Sequence, residues 1–122
     1  MQTLGQTRST RKADHALLTP DTFVRAALPG MKNATAIVHT APAMGAAFTE
    51  YTVEFAADGM LGPAVGQRFV DVLEGSVAVT IGGKRHLLSY GGHAFLPDGE
   101  KHSVKSAGVS RAIVIEIGRA HV

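Results

Sequence analysis

Hydrophobic and polar positions alternate along this chain in short runs, and no run keeps a convincing helical stripe. From Ala47 to Phe55, Thr49, Tyr51, Val53 and Phe55 fall on one face, and Glu50, Thr52 and Glu54 on the other. That period of two marks a half-buried strand, in which successive side chains point to opposite faces. Ala34–Thr40 is a second β-branched stretch. Phe69–Leu73 and Ser76–Ile81 follow, divided by Glu74-Gly75, which reads as a tight turn or a bulge. Gly82-Gly83 makes a two-residue hairpin loop into Arg85–Tyr90. Beyond Gly91-Gly92 come the short strand His93–Leu96 and the turn Pro97-Asp98-Gly99. Val104 and then Ser110–Ile117 complete the series, the last with Ile113, Ile115 and Ile117 on one face. The best helical candidate, Asp21–Ala27, starts on an Asp cap but meets Pro29-Gly30 too soon to be long. Many short strands with Gly/Pro turns predict an all-β fold, an antiparallel sandwich or barrel.

Length and composition narrow the picture. The 122 residues allow one domain, at roughly 100–200 residues per domain. With 45% hydrophobic and 18% charged residues the chain reads as globular. The absence of cysteine excludes disulfides, thiol nucleophiles and Cys-ligated metals. No apolar run approaches the roughly 20 residues of a membrane span, and the N-terminus has no hydrophobic signal core, so a cytoplasmic protein without a membrane partner is expected. Twelve basic against ten acidic residues leave a small excess of +2. Arg8, Arg11 and Lys12 cluster without interleaved aromatics, so residues 1–14 read as a flexible, solvated arm and no nucleic-acid partner is expected.

Two segments say more than all-β. One is Val70-Asp71-Val72-Leu73-Glu74-Gly75, a strand ending on a glycine turn. The other is Gly91, five residues, Pro97, one residue, Gly99, two residues, His102. In order and at short separation they resemble the paired motifs of the cupin superfamily, which implies an antiparallel double-stranded β-helix, the jelly-roll barrel. The glycines and the proline turn the chain between strands and aim the histidine inward. Ser106 stands where that second motif carries an asparagine.

The first cupin motif normally adds two histidines and a carboxylate that bind metal. Counting back from Gly75, the resemblance puts the carboxylate position at Arg68. The histidine positions fall at Gly62 and Ala64, or at Leu61 and Pro63. None of these side chains binds a cation, and Arg68 repels one. His102 alone survives of the ligand set, and catalytic sites generally use about three protein ligands. Gln67, rotated inward, adds one oxygen donor and still leaves too few. No metal ligands and no catalytic residues are therefore assigned; His102, Gln67 and Arg68 are the candidate binding residues of the barrel interior.

The N-terminal half resembles a particular family. Ala16-Leu17-Leu18-Thr19-Pro20-Asp21, Leu28-Pro29-Gly30, Pro42, Gly45-Ala46-Ala47-Phe48 and Tyr51 look like the first cupin domain of (S)-ureidoglycine aminohydrolases, and the likeness runs from about His15 to about Glu116. The resemblance implies a bicupin of allantoin and ureide catabolism that hydrolyses (S)-ureidoglycine to (S)-ureidoglycolate and ammonia. It further implies manganese held by a second cupin domain, and no cofactor in this one. One departure is Asp71, where an aromatic residue is more usual; an acid in a central strand is costly unless it meets water or a partner.

The closing residues, 117–122, resemble one reading frame of a sequencing-library adapter, which implies a non-native tail on a truncated bicupin; a natural short tail is the alternative. Residues 15–116 are then the cupin domain. His93 reads as a surface or edge residue, His15, His39 and His86 as incidental, and Phe48, Tyr51, Phe55, Phe69 and Phe95 as core. Glu50 and Glu54 lie about 13 Å apart along a strand, too far for a glycosidase carboxylate pair. No nucleophile elbow or phosphate loop is present. Three functions follow. The first is the metal-free half of an aminohydrolase, partnered by a second cupin domain or by its own copies and acting on a small ureide substrate. The others are a stand-alone metal-free cupin that binds a small molecule with His102 and Arg68, and a stand-alone metal-dependent enzyme with an unrecognised ligand set.

Overall fold

A computed structural model describes residues 10–11, 16–17, 25–41, 48–64 and 66–118. The described residues form eleven strands: β1 (Thr10–Arg11), β2 (Ala16–Leu17), β3 (Arg25–Ala26), β4 (Lys32–Thr40), β5 (Thr49–Met60), β6 (Gln67–Glu74), β7 (Val77–Ile81), β8 (Lys84–Leu88), β9 (His93–Leu96), β10 (His102–Ser106) and β11 (Ser110–Ile117). No helix occurs among the described residues. The segment read as a helical candidate contributes Arg25–Ala26 as an edge strand on β4, and its first four residues lie outside the described ones.

The main sheet runs β8-β7-β10-β5-β11-β6-β9, with β4 and β3 continuing from β5, and every pairing is antiparallel. It folds over on itself into a nearly closed barrel, and β5 makes the corner. That strand was expected to end at Phe55 but continues to Met60. Ala34 pairs with Phe55 while Lys32 pairs with Met60, so β5 carries the extra residues of a wide bulge. Asn33 (φ 47) and Asp58 (φ 60) sit in it, residue types that tolerate left-handed backbone. Beyond the bend Met60, opposite Lys32 of β4 on one side, pairs on the other with Lys105 of β10 in the second layer.

The core is built in layers, because inward residues of neighbouring strands lie opposite one another. Ala112 faces Val72 and Val53, and Val114 faces Val70 and Tyr51. Val77, Val79, Val104 and Leu96 complete a core in which all of these are at most 1% exposed. Burying a side chain of this size contributes roughly 1.5–3 kcal/mol. At one end Ser106 and Ser110, both 3% exposed, share a hydrogen bond of 2.6 Å. At the other end the layers finish in charged side chains.

Of the aromatics read as core, Tyr51 and Phe55 are buried, whereas Phe48 and Phe95 are exposed and Phe69 is half-buried. On β6 the inward face is Arg68, Val70 and Val72, so Phe69 takes the outer one, next to Phe95 of β9 and Ile115 of β11. Asp71 is also outward and half-buried, which removes the difficulty of an acid in the core. The outer face is thus apolar along Phe95–Phe69–Ile115.

The expected arm, residues 1–14, lies outside the described residues apart from Thr10–Arg11, which pair with Ala16–Leu17. Ile117, the first residue of the expected tail, is the last of β11 and pairs with Gln67; residues 119–122 are outside the described ones.

Candidate functional site

The layered interior ends at a polar cluster. Arg68 on β6 lies directly opposite Glu116 on β11, with Leu96 of β9 on its other side. The Arg68 side chain is 3% exposed and that of Glu116 24%. Nε and Nη2 of Arg68 donate to Glu116 Oε2 at 2.9 and 2.8 Å. The Tyr51 hydroxyl, one diagonal step away on β5, donates to the same oxygen at 2.7 Å. Three donors on one carboxylate oxygen, two of them from a cation, make short, charge-assisted hydrogen bonds.

His102 reaches the cluster from the opposite layer. The turn Pro97–Glu100 closes with Glu100 N–H donating to the Pro97 carbonyl. Gly99 takes φ 85 there, a value costly for any residue with a Cβ. The strand that follows begins at His102 with its ring inward. Nδ1–H donates to the Glu100 carbonyl at 3.3 Å, which leaves Nε2 as the acceptor for Arg68 Nη1 at 3.1 Å. These partners settle the tautomer. Depressions of about 270 and 350 Å³ flank the ring, one bordered by Pro63, Gly66 and Asp98, the other by Thr80, Gly82 and Ser103.

The electrostatics follow from this packing. Desolvation holds the His102 pKa below its ordinary value, and the Arg68 charge lowers it further, against opposing pulls from the Glu100 carbonyl and Glu116. Burial first, then the Glu116 charge, pushes the Tyr51 phenol far above its usual range, so it remains a donor. A histidine whose folded pKa is depressed stabilises the fold as the neutral ring: its contribution is complete above the unfolded value of about 6.5 and is lost as pH falls toward the folded pKa. The unfolding midpoint of the protein should therefore drop as the pH falls below about 6.5, and a His102→Gln variant should show a flatter profile; equal slopes would mean that His102 does not carry the effect.

Of the three residues singled out by sequence, Arg68 and His102 are in contact. Gln67 is not with them: it is exposed and outward, opposite Ile117. Glu116 and Tyr51 were missed as site residues. The signal was present in β11, where the face Ser110, Ala112, Val114, Glu116 ends a small apolar run on an acid, but Ile113, Ile115 and Ile117 make the other face the more apolar of the two. His39, read as incidental, has its Nε2 2.7 Å from the Thr52 hydroxyl. His93 is exposed on the edge strand β9, its ring 5.8 Å from that of Phe69.

A divalent ion does not fit this donor set. The one imidazole nitrogen facing inward here is taken by a guanidinium, and so is the adjacent carboxylate oxygen. Gly62, at one expected histidine position, has no room for a side chain: a Cβ there would collide with the Pro29 carbonyl oxygen and lie 2.8 Å from Gly30 Cα. Among the described residues no group of three His, Asp or Glu side chains is placed to hold a metal.

No family model matches the chain. A protein of Oryza sativa subsp. japonica described as a probable (S)-ureidoglycine aminohydrolase is 36% identical over 92% of this chain. The (S)-ureidoglycine aminohydrolase of Escherichia coli is 32% identical over 73% of it. The chain is a cupin domain of the (S)-ureidoglycine aminohydrolase family. The chain spans 37% and 36% of the length of those two relatives. The crystal structure of the E. coli protein Ylba superimposes with a TM-score of 0.82 at 28% identity, covering 95% of this chain and 51% of that one. The Schizosaccharomyces pombe Cnp3 cupin domain shares the fold at a TM-score of 0.63 and 13% identity, covering 84% of this chain and 73% of that one.

Proposed function

We propose that this domain is the N-terminal, metal-free half of an (S)-ureidoglycine aminohydrolase. In this reading it is the scaffold against which a manganese-bearing cupin half packs, and the complete enzyme hydrolyses (S)-ureidoglycine to (S)-ureidoglycolate and ammonia in cytoplasmic ureide breakdown. The observation that carries the reading is the Arg68–Glu116–His102–Tyr51 cluster, in which His102 Nε2 and Glu116 Oε2 are both engaged by the chain's own guanidinium: a domain whose inward-facing donors and acceptors meet one another is suited to supporting a site, not to running one. The outer sheet face supports the partner role. Phe95 is 57% and Ile117 45% exposed, with Phe69 and Ile115 half-buried between their strands, and a contiguous apolar face of this kind favours association.

The test is ammonia release from freshly generated (S)-ureidoglycine, with the metal content of the protein measured in parallel. Alone, the 122-residue chain should release no ammonia; mixed with the second cupin domain of a relative, it should raise that domain's activity or solubility. Turnover by the chain alone, with stoichiometric manganese, overturns the proposal. A Phe95→Ser/Ile117→Ser variant should self-associate less than wild type in light scattering while keeping its thermal midpoint. Unchanged association would put the contact surface elsewhere.

A further inference from the structure

We propose that the Arg68 guanidinium is a resident cation of this barrel, seated between two groups that would otherwise serve a metal, and that it closes the interior to divalent ions. The inference deepens the metal-free reading above. It rests on what each atom of the cluster has left to offer. With Nδ1–H on the Glu100 carbonyl, His102 directs its Nε2 lone pair inward, the tautomer a metal ligand needs. That lone pair meets Arg68 Nη1 at 3.1 Å. On another side of the same guanidinium, Glu116 Oε2 accepts from Nε and Nη2 at 2.9 and 2.8 Å, with Tyr51 holding the carboxylate in place. An imidazole nitrogen and a carboxylate oxygen therefore converge on one cation, and that cation belongs to the chain.

Eviction by a metal is disfavoured on two counts. Arginine cannot leave by shedding a proton, as a lysine or histidine can, so a guanidinium that is 3% exposed would have to carry its charge away from its one close counter-ion. Nor can the Gly62 position supply a replacement ligand, because the Pro29–Gly30 turn is packed against its backbone. The seat is suited to a planar cation with several N–H donors, and its specificity should show once the native occupant is cut away.

The experiment uses the full 122-residue chain, wild type and Arg68→Ala, titrated separately with methylguanidinium, methylammonium, manganese(II) and zinc(II) chlorides. The readouts are the thermal midpoint and the imidazole nitrogen resonances of His102. Wild type should be insensitive to manganese at both. Arg68→Ala should unfold at lower temperature, regain midpoint with methylguanidinium, and bind methylammonium about tenfold more weakly, the equivalent of losing roughly one charged hydrogen bond. Zinc should reach the vacated seat and shift His102 Nε2. If Arg68→Ala does not fold, Arg68→Lys replaces it, with His102 Nε2 expected to move because a point cation cannot bridge both acceptors. A His102 response to manganese in wild type overturns the proposal, as does an Arg68 variant with unchanged stability and no response to methylguanidinium. None of these readouts involves ammonia release, so the proposal can fail while the aminohydrolase reading stands.

Discussion

Replacing Glu116 with alanine should destabilise the domain by about 3 kcal/mol, at the low end for breaking a buried ion pair because the glutamate side chain keeps 24% exposure. The guanidinium of Arg68 would stay inside with no counter-charge, and the Tyr51 hydroxyl would lose its acceptor. Typical domains are stable by about 5–15 kcal/mol, so this is a large share of the whole. The pair itself is a different quantity. Desolvating two charges consumes most of their attraction, so a double replacement of similar volume, Arg68→Met/Glu116→Leu, should recover much of the loss. Urea unfolding of the three variants decides the matter: the midpoint should fall sharply for Glu116→Ala and much less for the double variant, at constant slope. A double variant as unstable as the single one would show that the ion pair is a net stabiliser of the barrel.

Gly62→His should be as damaging, although it places a metal-binding side chain at one of the positions where the cupin resemblance puts a histidine. A Cβ at Gly62 meets backbone atoms, the Pro29 carbonyl oxygen and Gly30 Cα, and backbone cannot rotate away as a side chain can. Overpacking of this kind costs about 3 kcal/mol when neighbours are unable to yield. The variant should therefore lose midpoint and gain no manganese affinity, measured by thermal unfolding and by metal content after gel filtration. A stable Gly62→His protein that retained manganese would mean that the 28–30 turn moves freely, and that the loss of ligands in this domain is reversible by single substitutions.

These two outcomes bear on why parts of the molecule were legible in its sequence. Strand β5 follows from alternation as far as Phe55, whereas β6 and β11, apolar on both faces, are legible from their Val- and Ile-rich runs between turn residues. The turn before His102 was equally plain, because Pro97 and Gly99 impose a reversal whatever surrounds them. The extent of β5 was not. Its last five residues belong to a bulge whose geometry depends on Asn33 of another strand, and nothing local announces that partner. The burial of the aromatics was misread for a related reason: Phe69 and Phe95 alternate correctly, but alternation says which residues share a face and not which face is inside.

The candidate site divides in the same way. Arg68 and His102 could be named from motif spacing, which is a one-dimensional property. Gln67 could not be told from Arg68 as an inward residue until the strand's pleat was fixed against β11, where Gln67 falls opposite Ile117 and turns outward. Glu116 became a partner only because β11 runs antiparallel between β5 and β6, which brings residues 65 and 48 positions apart onto one oxygen.

Sequence by itself determined that this chain is cysteine-free and all-β, properties of composition, period and turn spacing, and the resemblance of its glycine–proline–histidine motif to the cupins pointed to Arg68 and His102. Only the tertiary structure decided that Arg68 is buried at the end of the apolar core, paired with Glu116 and against His102. A side chain's charge state and partners inside a barrel are set by cross-strand register and desolvation, and both come into being when distant segments meet.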